Sequence, residues 1–418
     1  MRKLILTAAL LVPAAVFASG DSVPNVSPRD LALAGSATAA QEGAPAVYGN
    51  PAALSRLEGL HLSLAGTILD NGTTWTSTTG IVPSPQSTKF KPAPPPALYA
   101  AFGGKLGERG WGVGVGMTIP NGGNVDFDPN WAGRDHIITV DRKVFATFLS
   151  GGFEVLPQIR VGASAVYYRT TEYLVQGADF LGTPGSAELS TAGGALSYGL
   201  SAEIRPFLDV PLTFGVDYKH KADQKLTGAV RFHDVPPALR TQPAAMDQNV
   251  THYLTYPNSL NLAAAYQVSP RVLLTAGWTL DRWVVYDQDA FIGDAGASVV
   301  VQRNYRNGAT YRVGLEYTAS PDWKLRGGIL YDHTGMDIRY WSPSLPDGNV
   351  WAGALGAGWN MGKGFGLDGT IFYAHYDDVT TASGGVVFPG RWATRAIIYS
   401  LGLTYHWNPE SVGQVKMQ

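Results

Sequence analysis

The sequence predicts an all-β protein, a 14-stranded antiparallel transmembrane β-barrel with an N-terminal lumen plug (hatch), on three observations. Apolar and polar side chains alternate with a period of two in span after span from Leu60 to Trp407, which is strand patterning rather than helix patterning. The gaps between those spans are long and short in strict turn. Ahead of the first span lies a stretch rich in Ala, Gly and Ser that does not alternate, yet is apolar at Leu31, Leu33, Val47, Leu54 and Leu57, which does not suit a solvated tail.

Composition narrows the function classes. Charged residues make up 15% of the 418, against roughly 25% in soluble domains. The net charge of -2 leaves no basic excess to attract a nucleic-acid backbone, so no nucleic-acid partner is expected. The absence of cysteine removes disulfides, thiolate metal sites and cysteine nucleophiles together.

Taken in order, residues 1–18 read as a signal peptide: Arg2 and Lys3 precede an apolar run from Leu4 to Phe17, and Val16-Phe17-Ala18 is a small-residue cleavage site. No later stretch reaches the length of about 18 apolar residues that a spanning helix needs, so a membrane must be entered as strands. Residues 19–59 form the expected plug. In it Asn50 is an N-cap residue followed by Pro51 at the first helical position, which predicts a short helix through about Leu57 and makes Asn50, Pro51 and Ala52 the candidate gate. Fourteen strands enclose a bore that side chains alone do not fill.

The barrel is expected over 60–407, with strands at 60–70, 97–104, 111–120, 138–154, 159–175, 190–204, 212–218, 260–267, 272–286, 310–318, 323–332, 350–360, 366–377 and 396–407. Short gaps such as 155–158, 268–271 and 319–322 hold turn formers, whereas 71–96 and 219–259 are long. An even strand number with short turns at one end and long loops at the other fits an outer-membrane barrel with both termini periplasmic. Residues 408–418 follow as a periplasmic extension. Such a chain is expected to work as a monomer among outer-membrane lipid and lipopolysaccharide, delivered by the barrel-assembly machinery.

Parity assigns faces. In the last span Ile397, Tyr399, Leu401, Leu403, Tyr405 and Trp407 share the apolar, lipid-facing side. The opposite parity across the strands gives the lumen candidates Arg160, Tyr168, Leu273, Arg312, Arg326, Leu330, Phe372 and Tyr376. The apolar ones either pack on the plug or line a cavity for an apolar ligand. The arginines either pair with wall carboxylates such as Glu316 and Asp332 or receive a ligand carboxylate. On the third span Gly112, Gly114 and Gly116 share one parity ahead of Pro120-Asn121-Gly122-Gly123, which means either room for the plug or a kink that opens the wall.

Catalytic signals are weak. Gly364-Phe365-Gly366-Leu367-Asp368-Gly369 matches a phosphate-loop pattern but falls on a tight turn with no helix after it. There is no H-E-x-x-H or G-x-S-x-G motif, and Asp287, Asp289 and Asp294 lack calcium-loop spacing. No enzyme activity, metal or cofactor is expected.

Asp30-Leu31-Ala32-Leu33-Ala34-Gly35-Ser36-Ala37, then Ala46-Val47-Tyr48-Gly49-Asn50-Pro51-Ala52-Ala53-Leu54, resembles the hatch of FadL-type outer-membrane transporters of long-chain fatty acids and other hydrophobic compounds. Further similarity lies in Asn130-Trp131-Ala132-Gly133-Arg134, Tyr256-Pro257-Asn258-Ser259-Leu260 and Tyr311-Arg312-Val313-Gly314-Leu315-Glu316-Tyr317, so the resemblance covers nearly the whole chain. It implies passive uptake through an apolar and cationic lumen, with plug displacement and lateral exit at a kinked third strand. The cargo it implies is a hydrophobic molecule, foremost a long-chain fatty acid. The alternatives are a monoaromatic-hydrocarbon channel, a barrel lipase and an adhesin-like barrel. Two departures stand out: the loop after the fifth span is short, and Asn408 to Gln418 follow the terminal aromatic.

Overall fold

The computed structural model describes residues 22–23, 27–80, 82–91, 95–296, 298–382 and 388–408; the expected signal peptide and residues 409–418 lie outside them. Fourteen antiparallel strands close on themselves. They are β1 (Gly59–Thr76), β2 (Pro96–Leu106), β3 (Arg109–Asp126), β4 (Thr139–Leu156), β5 (Ile159–Asp179), β6 (Pro184–Ile204), β7 (Leu212–Lys219), β8 (Ser259–Ser269), β9 (Val272–Asp281), β10 (Gly308–Thr318), β11 (Trp323–His333), β12 (Val350–Gly362), β13 (Phe365–Tyr376) and β14 (Gly390–Trp407). Closure comes from β1 against β14, in register from Leu60↔Trp407 to Thr76↔Arg391. It leaves no sheet edge to be solvated in lipid.

Burial follows the alternation. Leu401 is 60% exposed on the outside while its neighbours Ser400 and Gly402 are buried inside. Outward ring pairs gather near both rims, as Trp323 on Trp359 and Phe365 on Tyr405 at the short-turn end and Tyr331 on Trp351 at the other. Aromatic rings settle at the two interfaces because they are apolar in the body and polar at the tip.

The strands outrun the predicted spans, and two expectations need correction. Residues 219–259 are not simply a loop: they contain a hairpin, Ala222–His233 with Gln248–Tyr256, whose first strand continues the wall by pairing with the outer half of β6 from Ser186 to Gly194. The span 272–286 is not one strand. It ends at Asp281 and passes through a 3₁₀ turn, Trp283–Val285, because Trp283 and Tyr286 both turn inward into an aromatic cluster.

Residues 27–57 fold inside the barrel. Ser27 caps a helix, Pro28–Ala32, and 3₁₀ turns follow at Ala37–Ala40 and Pro51–Arg56, the second capped by Asn50 with Pro51 at its start. The wall is shaped to receive them by glycine. A Cβ at Gly103, Gly112, Gly152 or Gly162 would overlap the backbone of Leu57, Leu54, Pro51 or Ala52 respectively.

The expected kink therefore needs correction too. Gly112, Gly114 and Gly116 sit in unbroken register with β2 and β4. At Gly112 and Gly114 the missing side chains admit Leu54 and Val47, and at Gly116 the ring of Tyr99. The ladder breaks higher up, between Thr118 and Asn121, where β3 carries extra residues opposite β4. Pro120 lies inside that break; it has no amide hydrogen to give a ladder.

Candidate functional site

Beside the break the wall is thin. β2 pairs with β1 only up to Gly66 and with β3 only up to Met117. Beyond that, the described contacts between the two outer edges are few. Asn71 Nδ2 donates to the Asn124 carbonyl at 2.8 Å, and the segment 86–91 closes the top, its Lys89 amide donating to the Asp126 carbonyl at 2.7 Å. The N-terminal segment reaches the same place. Ser22 bridges to Asn121, and the Val23 amide donates to the Pro120 carbonyl at 2.7 Å.

A cavity open to solvent runs from this break across the bore. Val23, Pro120 and Asn121 line one end. Leu330, Val350, Phe372 and Ala374 make an apolar wall opposite, with Tyr376 beside it, and Tyr168 of β5 lines the cavity near Lys219 and Asp217. Tyr48 and Asp30 of the N-terminal segment form part of its floor. Burial pushes the Asp30 carboxyl above its ordinary range, against the pull of Arg29 and Arg312. The Tyr48 phenol is raised by burial and by Asp217.

Five of the eight lumen candidates thus meet in one cavity: Tyr168, Arg312, Leu330, Phe372 and Tyr376. Arg312 is the arginine left over. Its Nη1 donates to Thr279 Oγ1 at 2.5 Å, and no carboxylate lies within ion-pair distance of it among the described residues. The other three candidates are employed elsewhere. Arg160 pairs with Glu203 at 3.1 Å and Glu154 at 3.4 Å. Arg326 pairs with Glu316 at 2.7 Å and Asp368 at 2.5 Å. Leu273 packs on a small alanine cluster that includes Ala39.

The lumen is therefore not simply cationic, which corrects the expectation. Asp30, Asp217 and Asp281 share the cavity with Arg312 and Lys219, and Lys219 pairs with Asp217. Sequence reasoning missed Asp217 and Asp281, although the alternation of β7 already puts Asp217 on the Thr213–Gly215 side.

Asn50 is fully buried between wall and segment. Its Oδ1 accepts the Ala52 amide at 3.2 Å, its Nδ2 donates to the Thr38 carbonyl at 2.9 Å, and the Ala52 amide is shared with Ser201 Oγ of β6 at 2.9 Å. On the outer side a buried chain of charges ties wall to loops. His252 of the hairpin lies 2.9 Å from Glu172 and 3.2 Å from Asp289, Glu172 accepts from Arg142 at 2.7 Å, and Asp289 accepts from Arg303 at 2.8 Å.

Residues 9–407 match a family model described as outer membrane protein transport protein (OMPP1/FadL/TodX). A putative outer membrane protein of Neisseria meningitidis serogroup B is 23% identical, over 97% of this chain and 98% of its own. Among solved structures, a Pseudomonas aeruginosa FadL homologue superposes with a TM-score of 0.83 at 20% identity, covering 93% of this chain and 100% of the other. The P. putida toluene transporter TodX does so with 0.71 at 15% identity, covering 91% and 98%.

Proposed function

The chain belongs to the outer membrane protein transport protein family (OMPP1/FadL/TodX), barrel channels of the outer membrane for hydrophobic compounds and not enzymes, and on that footing we propose that its cargo is an amphiphile with an acyl tail and a carboxylate head, a long-chain fatty acid. The supporting observation is the single cavity that joins Arg312, an apolar wall and the break in β3. The tail lies along Leu330, Val350 and Phe372, where contact removes apolar area from water. The carboxylate meets Arg312, whose guanidinium offers a charge-assisted pair that no wall acid already occupies. Residues 27–57 act as the plug, with Asn50, Pro51 and Ala52 as its gate. Exit is sideways, past Pro120 between β1 and β3, once Val23 leaves. No energy source is required, because the cargo partitions from water into lipid.

A second reading is favoured by one observation: Asp30, Asp217 and Asp281 line the same cavity as Arg312, and Tyr168, Phe372 and Tyr376 present rings. A neutral monoaromatic hydrocarbon would suit those groups. Proteoliposome uptake of labelled oleate and of labelled toluene, by the parent and by Arg312→Met, separates the two. Oleate uptake that falls several-fold in the variant while toluene entry stays low supports the acid. Toluene uptake unaffected by the variant, with no oleate uptake in either protein, establishes the hydrocarbon instead.

A further inference from the structure

The outer wall carries two exposed cations with a gap built between them. Arg169 on β5, Gly194 on β6 and Lys225 on the hairpin strand are direct ladder partners, all pointing to the lipid side. With strands about 4.8 Å apart, the two cations stand on backbones about 10 Å apart, and the residue between them has no side chain. Tyr167 leans into that space: its hydroxyl lies 2.8 Å from where a Gly194 Cβ would be. Neither Arg169 nor Lys225 has a carboxylate within ion-pair distance among the described residues. The neighbouring acids are already engaged, Asp141 with Lys143 at 2.8 Å and Asp223 with Lys221 at 2.7 Å.

Their height matters as much as their spacing. From the short turn at Ile159, outward positions on β5 read Val161, Ala163, Ala165 and Tyr167 before Arg169. That path is about 33 Å at roughly 3.3 Å per residue. At a tilt of about 40° it climbs about 25 Å, the height of the apolar band of such barrels. Arg169 thus stands where the outer leaflet's headgroups begin, and that leaflet is built of phosphorylated glycolipid.

We propose that Arg169, Lys225 and the Tyr167 hydroxyl, which lies over Gly194, form a binding site for a phosphate of an outer-leaflet glycolipid. Two cations and one neutral donor match the acceptor oxygens of a phosphate. The acyl chains of the same lipid then lie down the apolar face below Tyr167.

The test is native mass spectrometry of the full-length protein titrated with bisphosphorylated lipid A, its dephosphorylated form and phosphatidylglycerol. The parent should retain the phosphorylated glycolipid at least fivefold more than either of the others. Arg169→Gln/Lys225→Gln should lose at least fivefold of that retention with heat-modifiability unchanged, and Lys105→Gln at the opposite rim should lose none. Retention unchanged in the double variant, or equal for the dephosphorylated lipid, overturns the site; equal retention of phosphatidylglycerol overturns the assignment to glycolipid. If the double variant does not fold, the comparison of lipids on the parent and a weakened retention by Tyr167→Phe decide alone.

Discussion

Arg29 and Glu316 meet at 3.0 Å across the boundary between the N-terminal segment and the barrel wall. Glu316 also holds Arg326 at 2.7 Å and Lys324 at 3.0 Å, so three cations share one carboxylate, and Arg29 is the one that belongs to the segment. Glu316→Gln leaves Arg29 with only the half-exposed Glu42 at 3.3 Å, while Arg326 keeps Asp368, and removing one partner of a buried pair costs about 3 kcal/mol or more. The variant should conduct ions more readily in planar bilayers and be cut faster by trypsin at Arg56, while the barrel stays heat-modifiable.

Asn50→Ala removes a cap worth about 1 kcal/mol and leaves the Thr38 carbonyl without its donor. Ser201 Oγ still accepts the Ala52 amide, so the single variant should raise conductance only several-fold. Asn50→Ala/Ser201→Ala should exceed the sum of the two single effects, because the amide then loses both acceptors. Deleting residues 21–56 should raise conductance furthest. Single-channel recording checks all four; a deletion variant that folds and stays closed excludes residues 27–57 as the plug.

Phe372 is buried against the cavity and Leu401 is 60% exposed on the lipid face. Phe372→Asp should therefore reduce hydrophobic uptake several-fold without harming assembly. Leu401→Asp should reduce the folded fraction, since a charge on the lipid face costs up to about 2 kcal/mol near the midplane. Heat-modifiability gels and uptake assays, run on both variants, separate the two effects.

The outer cap should respond to alkali. Burial disfavours a charged ring at His252, but Glu172 and Asp289 outweigh it and raise its pKa to about 9. A folded value above the unfolded one, about 6.5, means the stabilisation is complete below pH 6.5 and is lost as pH rises through about 9. Tryptic cleavage at exposed Arg240, in the hairpin's connection, should be slow at pH 7 and accelerate above pH 9. His252→Gln should be cut at similar rates throughout.

What the sequence made legible follows the period of two. It located every barrel strand because lipid outside and filling inside impose opposite demands on successive residues. It failed where those demands cease. Asn71 to Thr76 read as loop, yet β1 continues to Thr76, since a wall above the membrane keeps its ladder without an apolar face. The hairpin within 219–259 was hidden for the same reason, with Asp223, Lys225 and Thr227 on its outer face. The glycines of β3 were visible as a cluster, but whether they bend the strand or admit Leu54 depends on what packs against them, which alternation does not encode. Arg312 could not be told apart from Arg160 and Arg326 until their partners, distant in sequence, were in place.

The bond from the Val23 amide to the Pro120 carbonyl makes the proposed side exit a door fastened by its own latch. Val23 cannot withdraw without leaving the Pro120 carbonyl at the register break without that donor, and movement of the strand there breaks the same bond. Under the proposed route, anything that loosens one end must be felt at the other with equal free energy. A cargo that binds more tightly to the loosened form would therefore unlatch the wall in proportion to its own occupancy, and a mutation that pins Val23 would weaken cargo binding by the same factor.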